Sequence, residues 1–332
     1  MNDIWRRRTE ELEAASLGER ACLARDTKGR ERSEAEDDIR TTFQRDRDRI
    51  VHSKAFRRLG HKTQVFLAPE GDHYRVRLTH TLEVTQIART IARALQLNED
   101  LVEAICLGHD LGHTPFGHLG EEVVARFQPG FRHNLQSVRI VEVLEDLNLT
   151  WEVRDGIANH TWSMPIPATL EGQIARYADR IAYLNHDIDD AVRAGILAES
   201  DLPATTRATL GTSHSERIRR MVTDLVVASQ EAPEIGMSDE VFEAMIVTRD
   251  FLFESVYIGR VGSSTQEAVR RILETLLEHH AGAVRPGAVR DPEAADPRVV
   301  AVDYVAGMTD RFALRAFEEL VGAPSPGFGV LG

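Results

Sequence analysis

The spacing of apolar residues constrains this chain most, because it is helical almost from end to end. Between 79 and 96, Val84, Ile87, Ala88, Ile91, Ala92 and Leu95 fall at i, i+3, i+4, i+7, i+8 and i+11, one face of an amphipathic helix. Asn98 can cap the next helix, which carries Leu101, Val102, Ile105 and Leu107 and ends near Gly108. Ile50, Ala55, Phe56 and Leu59 give a helical face from Arg49 to Gly60. The same reasoning predicts helices over 119–128, 134–147, 151–159, 170–193, 214–229, 238–256, 263–280 and about 299–321. Residues 281–297, rich in Pro, Gly and Ala, read as a loop. Only Val65–Leu67 and Tyr74–Val76, around Pro69-Glu70-Gly71-Asp72, carry a strand signal, that of a small hairpin. The expectation is an all-α chain.

Aromatic residues are only 6% of the 332 residues, so the core should be aliphatic. A net charge of −13 disfavours nucleic acid and anionic membrane, and an anionic small substrate would need a local basic pocket. Cys22 and Cys106 suggest no disulfide framework, and Cys106 reads as a small core residue. With no signal pattern and no apolar run of membrane-spanning length, the expectation is a soluble, reduced, cytoplasmic protein without membrane contact. Residues 1–48 read as a charged arm or a partly disordered tail, and Arg6-Arg7-Arg8 as a solvated run, with nucleic-acid contact the alternative that net charge does not indicate.

Against this background, His80, His109, Asp110 and Asp179 stand out. His80 lies four residues before Val84, and His109 four after Ile105, so both fall on core-facing positions. Buried polar groups need partners, and two imidazoles with two carboxylates suit a divalent metal. Gly108 and Gly112 would allow close approach of backbone or ligand. A His-Asp dipeptide alone is weak evidence, since His186-Asp187 repeats it within an acidic run holding Asp189 and Asp190. Asp179, Tyr183 and Asp187 share one helical stripe, as a pocket wall would. The plainer alternative pairs Asp179 with Arg176 or Arg180 on a solvated face. His160 reads as a hydrogen-bonded structural residue, His52, His61 and His73 as scaffold or rim, and His279-His280 as a helix-end pair facing the dipole.

His80, His109-Asp110 and Asp179 in this order resemble the H…HD…D signature of HD-domain phosphohydrolases. Phe56-Arg57-Arg58-Leu59, Lys62-Thr63-Gln64-Val65-Phe66, Arg77-Leu78-Thr79-His80 and His109-Asp110-Leu111-Gly112-His113-Thr114-Pro115-Phe116-Gly117-His118 resemble bacterial dGTPase-type deoxynucleoside triphosphate triphosphohydrolases. The likeness runs from about Asp46 to Asp190, with weaker patches beyond, including Asp303–Phe312. It implies an HD-domain helical bundle with a small β-hairpin: an arm over 1–48, a core over 49–197 and a C-terminal helical subdomain over 198–332. It implies hydrolysis of a dNTP, dGTP among the candidates, to deoxynucleoside and inorganic triphosphate. His80, His109, Asp110 and Asp179 would hold the metal. His118 and Glu121 would form the catalytic dyad, and His113 would act at the phosphates beside Arg77 and Arg180. Tyr183 would pack on the deoxyribose, Asp187 would hold its 3′-hydroxyl, and Arg58, Gln64 and His133 would line the pocket. Arg180 stands where some relatives carry Lys, which bonds phosphate differently.

The mixed N/O ligand set accepts Mn, Mg, Fe, Co or Zn, and the resemblance favours Mn or Mg, with a second Mg accompanying the substrate phosphates. It also implies a homo-oligomer. Two other readings stay open: another HD phosphohydrolase, such as a nucleotidase or phosphodiesterase, and a nucleotide-sensing module of low turnover. Without the metal motif beside it, His118 would read as a surface residue capping a helix after Pro115.

Overall fold

A computed structural model describes residues 4–64, 75–258, 263–282 and 296–326. Its helices are, in chain order, α1 (Ile4–Ser16), α2 (Thr42–His52), α3 (Lys54–Arg58), α4 (Arg77–Ala94), α5 (Glu99–Gly108), α6 (Gly117–Phe127) and α7 (His133–Arg139). They continue as α8 (Trp151–Asn159), α9 (Leu170–Arg193), α10 (His214–Ser229), α11 (Asp239–Leu252), α12 (Ser263–Gly282), α13 (Pro297–Ala306) and α14 (Asp310–Val321). π-helical turns extend α7 through Ile140–Leu144 and α11 through Phe253–Ile258. The fold is all-α, with no strand among the described residues. The expected hairpin falls largely on 65–74, outside the described residues; Thr63 and Val76 beside it form an isolated antiparallel bridge.

Helices α8, α9 and α10 have the boundaries that their apolar spacing predicts. Side chains fix two of those starts: Thr169 accepts from the Gly172 N–H and Ser213 from the Glu216 N–H. Asn98 Oδ1 likewise accepts from the N–H groups of Asp100 (3.1 Å) and Leu101 (3.3 Å), opening α5. Two expected helices are broken. Ser53 accepts from the Phe56 N–H at 3.0 Å and starts α3 anew, while α2 begins earlier, at Thr42. The last stretch divides at Gly307, because the Thr309 hydroxyl accepts from the Phe312 N–H and opens α14. In both places a hydroxyl inside an apolar pattern offers the backbone an alternative to helix continuation.

The chain forms two compact units. The first comprises Met1–Ile50, His80–Leu107 and Asn148–Arg260. Its long helix α9 packs on α8, α10 and α11. Gly156 lets α8 approach α5 closely, since a Cβ there would stand 2.5 Å from Ile105 Cδ1. The charged N-terminal segment is stitched into this unit. Asp46, buried and bonded to Arg30, accepts from the Thr150 N–H at 2.8 Å. Glu171 accepts from the Cys22 N–H at 2.9 Å, and Glu152 from the Lys28 N–H at 2.7 Å. Arg6 is not part of a solvated run: it is buried, donating to Glu10 (2.7 Å) and to the Asp37 carbonyl (3.1 Å).

The second unit comprises Val51–Thr79, Gly108–Leu147 and Val261–Gly332. Helices α6, α12, α13 and α14 enclose a core that includes Phe116, Val124, Ile272, Leu276, Val305 and Phe317. Each fully buried side chain of this kind contributes roughly 1.5–3 kcal/mol. His279 and His280 lie in the last turn of α12, the helix end expected of them, and His280 is buried with its ring 4.4 Å from Tyr304.

Candidate functional site

In the second unit the catalytic-type residues cluster around Asp110. His109 and Asp110 lie in the turn after α5 rather than within a helix, as their periodicity had suggested. Gly112 is what lets this turn sit against α7: a Cβ there would stand 2.3 Å from His133 O and from Ser137 N. The Ser137 hydroxyl accepts from the Gly112 N–H at 2.8 Å and donates to the His109 carbonyl at 2.7 Å. The chain then turns through Phe116 and Gly117, both at positive φ (65° and 59°), before α6 begins. Asp310 holds that turn, accepting from the Phe116 N–H at 3.0 Å and the Thr63 N–H at 2.9 Å. The buried Lys62 ammonium donates to the carbonyls of His113 and, at 2.9 Å, Ala306.

Asp110 Oδ2 accepts from Arg77 Nη1 at 2.8 Å. Its Oδ1 lies 3.5 Å from His109 Nε2 and 3.3 Å from His113 Nε2. The His113 ring stacks on His133 at 3.9 Å and stands edge-on to His118 at 6.1 Å. Glu121 Oε1 lies 2.9 Å from His133 Nδ1 and accepts from the His133 N–H at 2.9 Å. His113, Glu121 and His133 also present ligand-type atoms within 4.8 Å of one another. Sequence reasoning named Glu121 only as the partner of His118; its bond to His133 requires the tertiary approach of α6 and α7.

Burial and Arg77 lower the pKa of His118, opposed by the charge of Glu121. Burial, then Arg77 and His133, hold His113 well below its ordinary value. Burial also acts on His133, but Glu121 outweighs it and raises that pKa. Glu121 itself is pushed up by burial and pulled down further by His133, to about 2. Gln64 is buried in this unit, whereas Arg58 is exposed and sits beside Gly307.

In the first unit, α4 and α9 face each other through His80 and Asp179, whose Nε2 and Oδ1 lie 3.1 Å apart. Arg176 does not pair with Asp179; it donates to the carbonyls of Trp162 (3.0 Å) and Pro165 (3.0 Å). His186 was passed over in favour of His109, yet its Nδ1 is 3.4 Å from His80 Nδ1 and its Nε2 is 2.7 Å from Glu83 Oε2. Its spacing of i+7 from Asp179 was the available signal. Asp187 is buried, and burial raises Tyr183 to about 12. His160 is structural in its bonding, with Nδ1 2.8 Å from the Ile157 carbonyl.

Each unit therefore offers one imidazole nitrogen and one carboxylate oxygen at a separation suited to a shared ion. Ligand distances of about 2.0–2.2 Å place adjacent donors roughly 3–3.5 Å apart. His80 with Asp179 (3.1 Å) and His109 with Asp110 (3.5 Å) meet that requirement. Neutral imidazole and carboxylate are the donor types that Mn, Mg, Fe, Co and Zn sites use.

The phosphate-binding candidates have a complementary property. Among the described residues, Arg77 Nε and Nη2 and Arg180 Nε and Nη1 are buried without a hydrogen-bond partner. Buried guanidinium donors left unmet are costly, so such positions suit an incoming anion.

Residues 77–184 match the HD domain family, and 235–319 match the phosphohydrolase-associated domain family. A deoxyguanosinetriphosphate triphosphohydrolase-like protein of Caldanaerobacter subterraneus subsp. tengcongensis is 55% identical over 96% of this chain and 96% of its own length. One from Desulfatibacillum aliphaticivorans is 46% identical over 95% of this chain and 97% of its own. A crystal structure of a hypothetical protein from Aquifex aeolicus matches at 22% identity and a TM-score of 0.49, covering 82% of this chain and 69% of that one. This chain belongs to the deoxyguanosinetriphosphate triphosphohydrolase-like family of HD-domain, metal-dependent phosphohydrolases.

Proposed function

We propose that the protein hydrolyses a deoxynucleoside triphosphate at the α-phosphorus, releasing deoxynucleoside and inorganic triphosphate. The observation that carries this reading is buried Arg77, whose Nη1 is fixed by Asp110 while Nε and Nη2, on one edge of the guanidinium, are unmet. A phosphate group is the substrate feature that such a fork matches bidentately, and the motif assigns buried Arg180, with its own unmet donors, to phosphate as well. The sequence motif joins them to one metal held by His80, His109, Asp110 and Asp179, with Mn or Mg the favoured ion and a second Mg accompanying the phosphates.

When bound, the divalent ion would neutralise phosphate charge and lower the pKa of an attacking water. The chain's own groups supply the rest. Arg77, fixed by Asp110, would hold phosphate oxygens through Nε and Nη2. His113 would contact the same oxygens. The leaving 5′-oxygen needs a proton, and His118 with Glu121 would deliver it. Burial and Arg77 work against protonating His118, and the Glu121 charge offsets them only in part. Glu121 is in turn anchored by His133. Tyr183 would pack against the deoxyribose and Asp187 would bond its 3′-hydroxyl, with Gln64 and Arg58 toward the sugar or base.

On this reading residues 49–197 are the working core, 1–48 an arm and 198–332 a supporting helical subdomain, in a cytoplasmic homo-oligomer. Among the described residues no helix is long and apolar enough to cross a membrane. Chromatography of products from each dNTP and rNTP tests the reading. Deoxynucleoside with intact triphosphate is expected; monophosphate or orthophosphate as the initial product contradicts it.

A further inference from the structure

Arg180 has an unusual setting within its own unit. It is buried, yet among the described residues no carboxylate bonds it. Its guanidinium carbon lies 4.4 Å from the centre of the Trp162 ring and 5.9 Å from that of Tyr183. Trp162 is itself fixed on several sides. Arg176, one turn earlier on α9, donates to the carbonyls of Trp162 (3.0 Å), Met164 (3.3 Å) and Pro165 (3.0 Å). The indole N–H reaches back to the Arg176 carbonyl at 3.4 Å. Tyr177 meets the ring edge-on at 5.1 Å, and Phe242 lies 5.7 Å away.

A guanidinium held over an aromatic face keeps its N–H groups pointing outward in its own plane. A carboxylate partner would occupy those donors, whereas an indole does not. We propose that Trp162 is a positioning residue for substrate binding: it forms the platform over which the Arg180 guanidinium is held, leaving its unpartnered Nε and Nη1 donors for phosphate oxygens. Arg176 pins the 162–165 segment to α9, so one turn of this helix supplies both the phosphate-binding cation and the clamp on its support. The inference rests on the assignment of Arg180 to phosphate. A cation–π contact of partly buried type corresponds to roughly a tenfold change in affinity.

The test uses the full-length protein and inorganic triphosphate as the probe. The chain has three tryptophans, so Trp5→Phe/Trp151→Phe leaves Trp162 as the sole indole reporter with its own site unaltered. Triphosphate should change Trp162 fluorescence, and Arg180→Gln should abolish that change. By calorimetry, Trp162→Leu should weaken triphosphate about tenfold, Trp162→Phe should restore most of the affinity, and Trp162→Leu should add little to Arg180→Gln. With nucleotide substrate, Trp162→Leu should raise KM by a similar factor and leave kcat within about twofold. Weak binding in Arg180→Gln with unchanged affinity in Trp162→Leu, or silent Trp162 fluorescence, overturns the platform and leaves the phosphate role of Arg180 standing. Full affinity in Arg180→Gln overturns both.

Discussion

Arg77 and Asp110 form a buried pair in which only one nitrogen and one oxygen are committed to each other, Nη1 and Oδ2 at 2.8 Å. The second carboxylate oxygen is turned to His109 and His113, and the remaining guanidinium donors have no partner among the described residues. On the proposed assignment, this one contact leaves an oxygen for a metal and two donors for an anion. The first prediction follows directly. Asp110→Asn should abolish turnover and remove bound metal, while far-UV circular dichroism stays close to wild type. Normal metal content by elemental analysis would contradict the ligand assignment.

Glu121→Gln removes the charge that raises His133 and supports His118. Turnover should fall about 10²-fold, in the range expected for loss of acid–base assistance. Burial would then be opposed on His133 only by the Asp110 charge, so its titration, followed by NMR, should move to lower pH. An unchanged His133 titration would contradict the observed pairing.

Burial is the main force lowering Lys62 to a pKa of about 7. An unfolded lysine keeps its proton to about pH 10.4. Between these values the unfolded chain binds more protons, so this residue makes stability rise as pH increases from about 7 to 10. Below pH 7 both states are protonated and its contribution is flat. Comparing wild type with Lys62→Met by denaturant unfolding, the wild type should gain on the variant across that window. Parallel curves would contradict the lowered pKa of the buried lysine.

Asp310→Ala should leave the N–H groups of Phe116 and Thr63 without their acceptor, costing about 1–3 kcal/mol for each buried donor left unmet. Because the Phe116 turn leads into His118, kcat should fall further than KM rises, with metal content retained. Equal stability in thermal unfolding would contradict the clamp.

Tyr183→Ala should raise the relative rate on rNTPs by opening the space where a 2′-hydroxyl would clash. Unchanged dNTP-to-rNTP selectivity in competition assays would remove its assigned place on the sugar.

Much of this architecture was readable before any coordinates. The apolar stripe of α9 and the hydroxyls of Thr169 and Ser213 are local signals, and they set helix boundaries correctly. Local signals also compete, which is why Ser53 and Thr309 broke two expected helices. His80 and Asp179 stood out because polar residues in helices that read as buried demand partners, whereas Arg180 was named as a phosphate contact only through the family resemblance. The partners themselves were less legible. The Glu121–His133 bond and the Trp162 platform link residues 12 and 18 positions apart through loops whose path no periodicity encodes. The burial of Arg6 was hidden for the same reason, its acceptors Glu36 and Asp37 lying some 30 residues on.

The reaction itself can be read in one experiment: single-turnover hydrolysis of a dNTP by the metal-loaded protein in ¹⁸O-water, followed by ³¹P NMR. Attack at the α-phosphorus breaks its bond to the 5′-oxygen and leaves the label on phosphorus, whereas attack at C5′ would label the deoxynucleoside, so the account predicts unlabelled deoxynucleoside and intact inorganic triphosphate carrying one ¹⁸O. Labelled orthophosphate, or pyrophosphate accompanying a deoxynucleoside monophosphate, would contradict it.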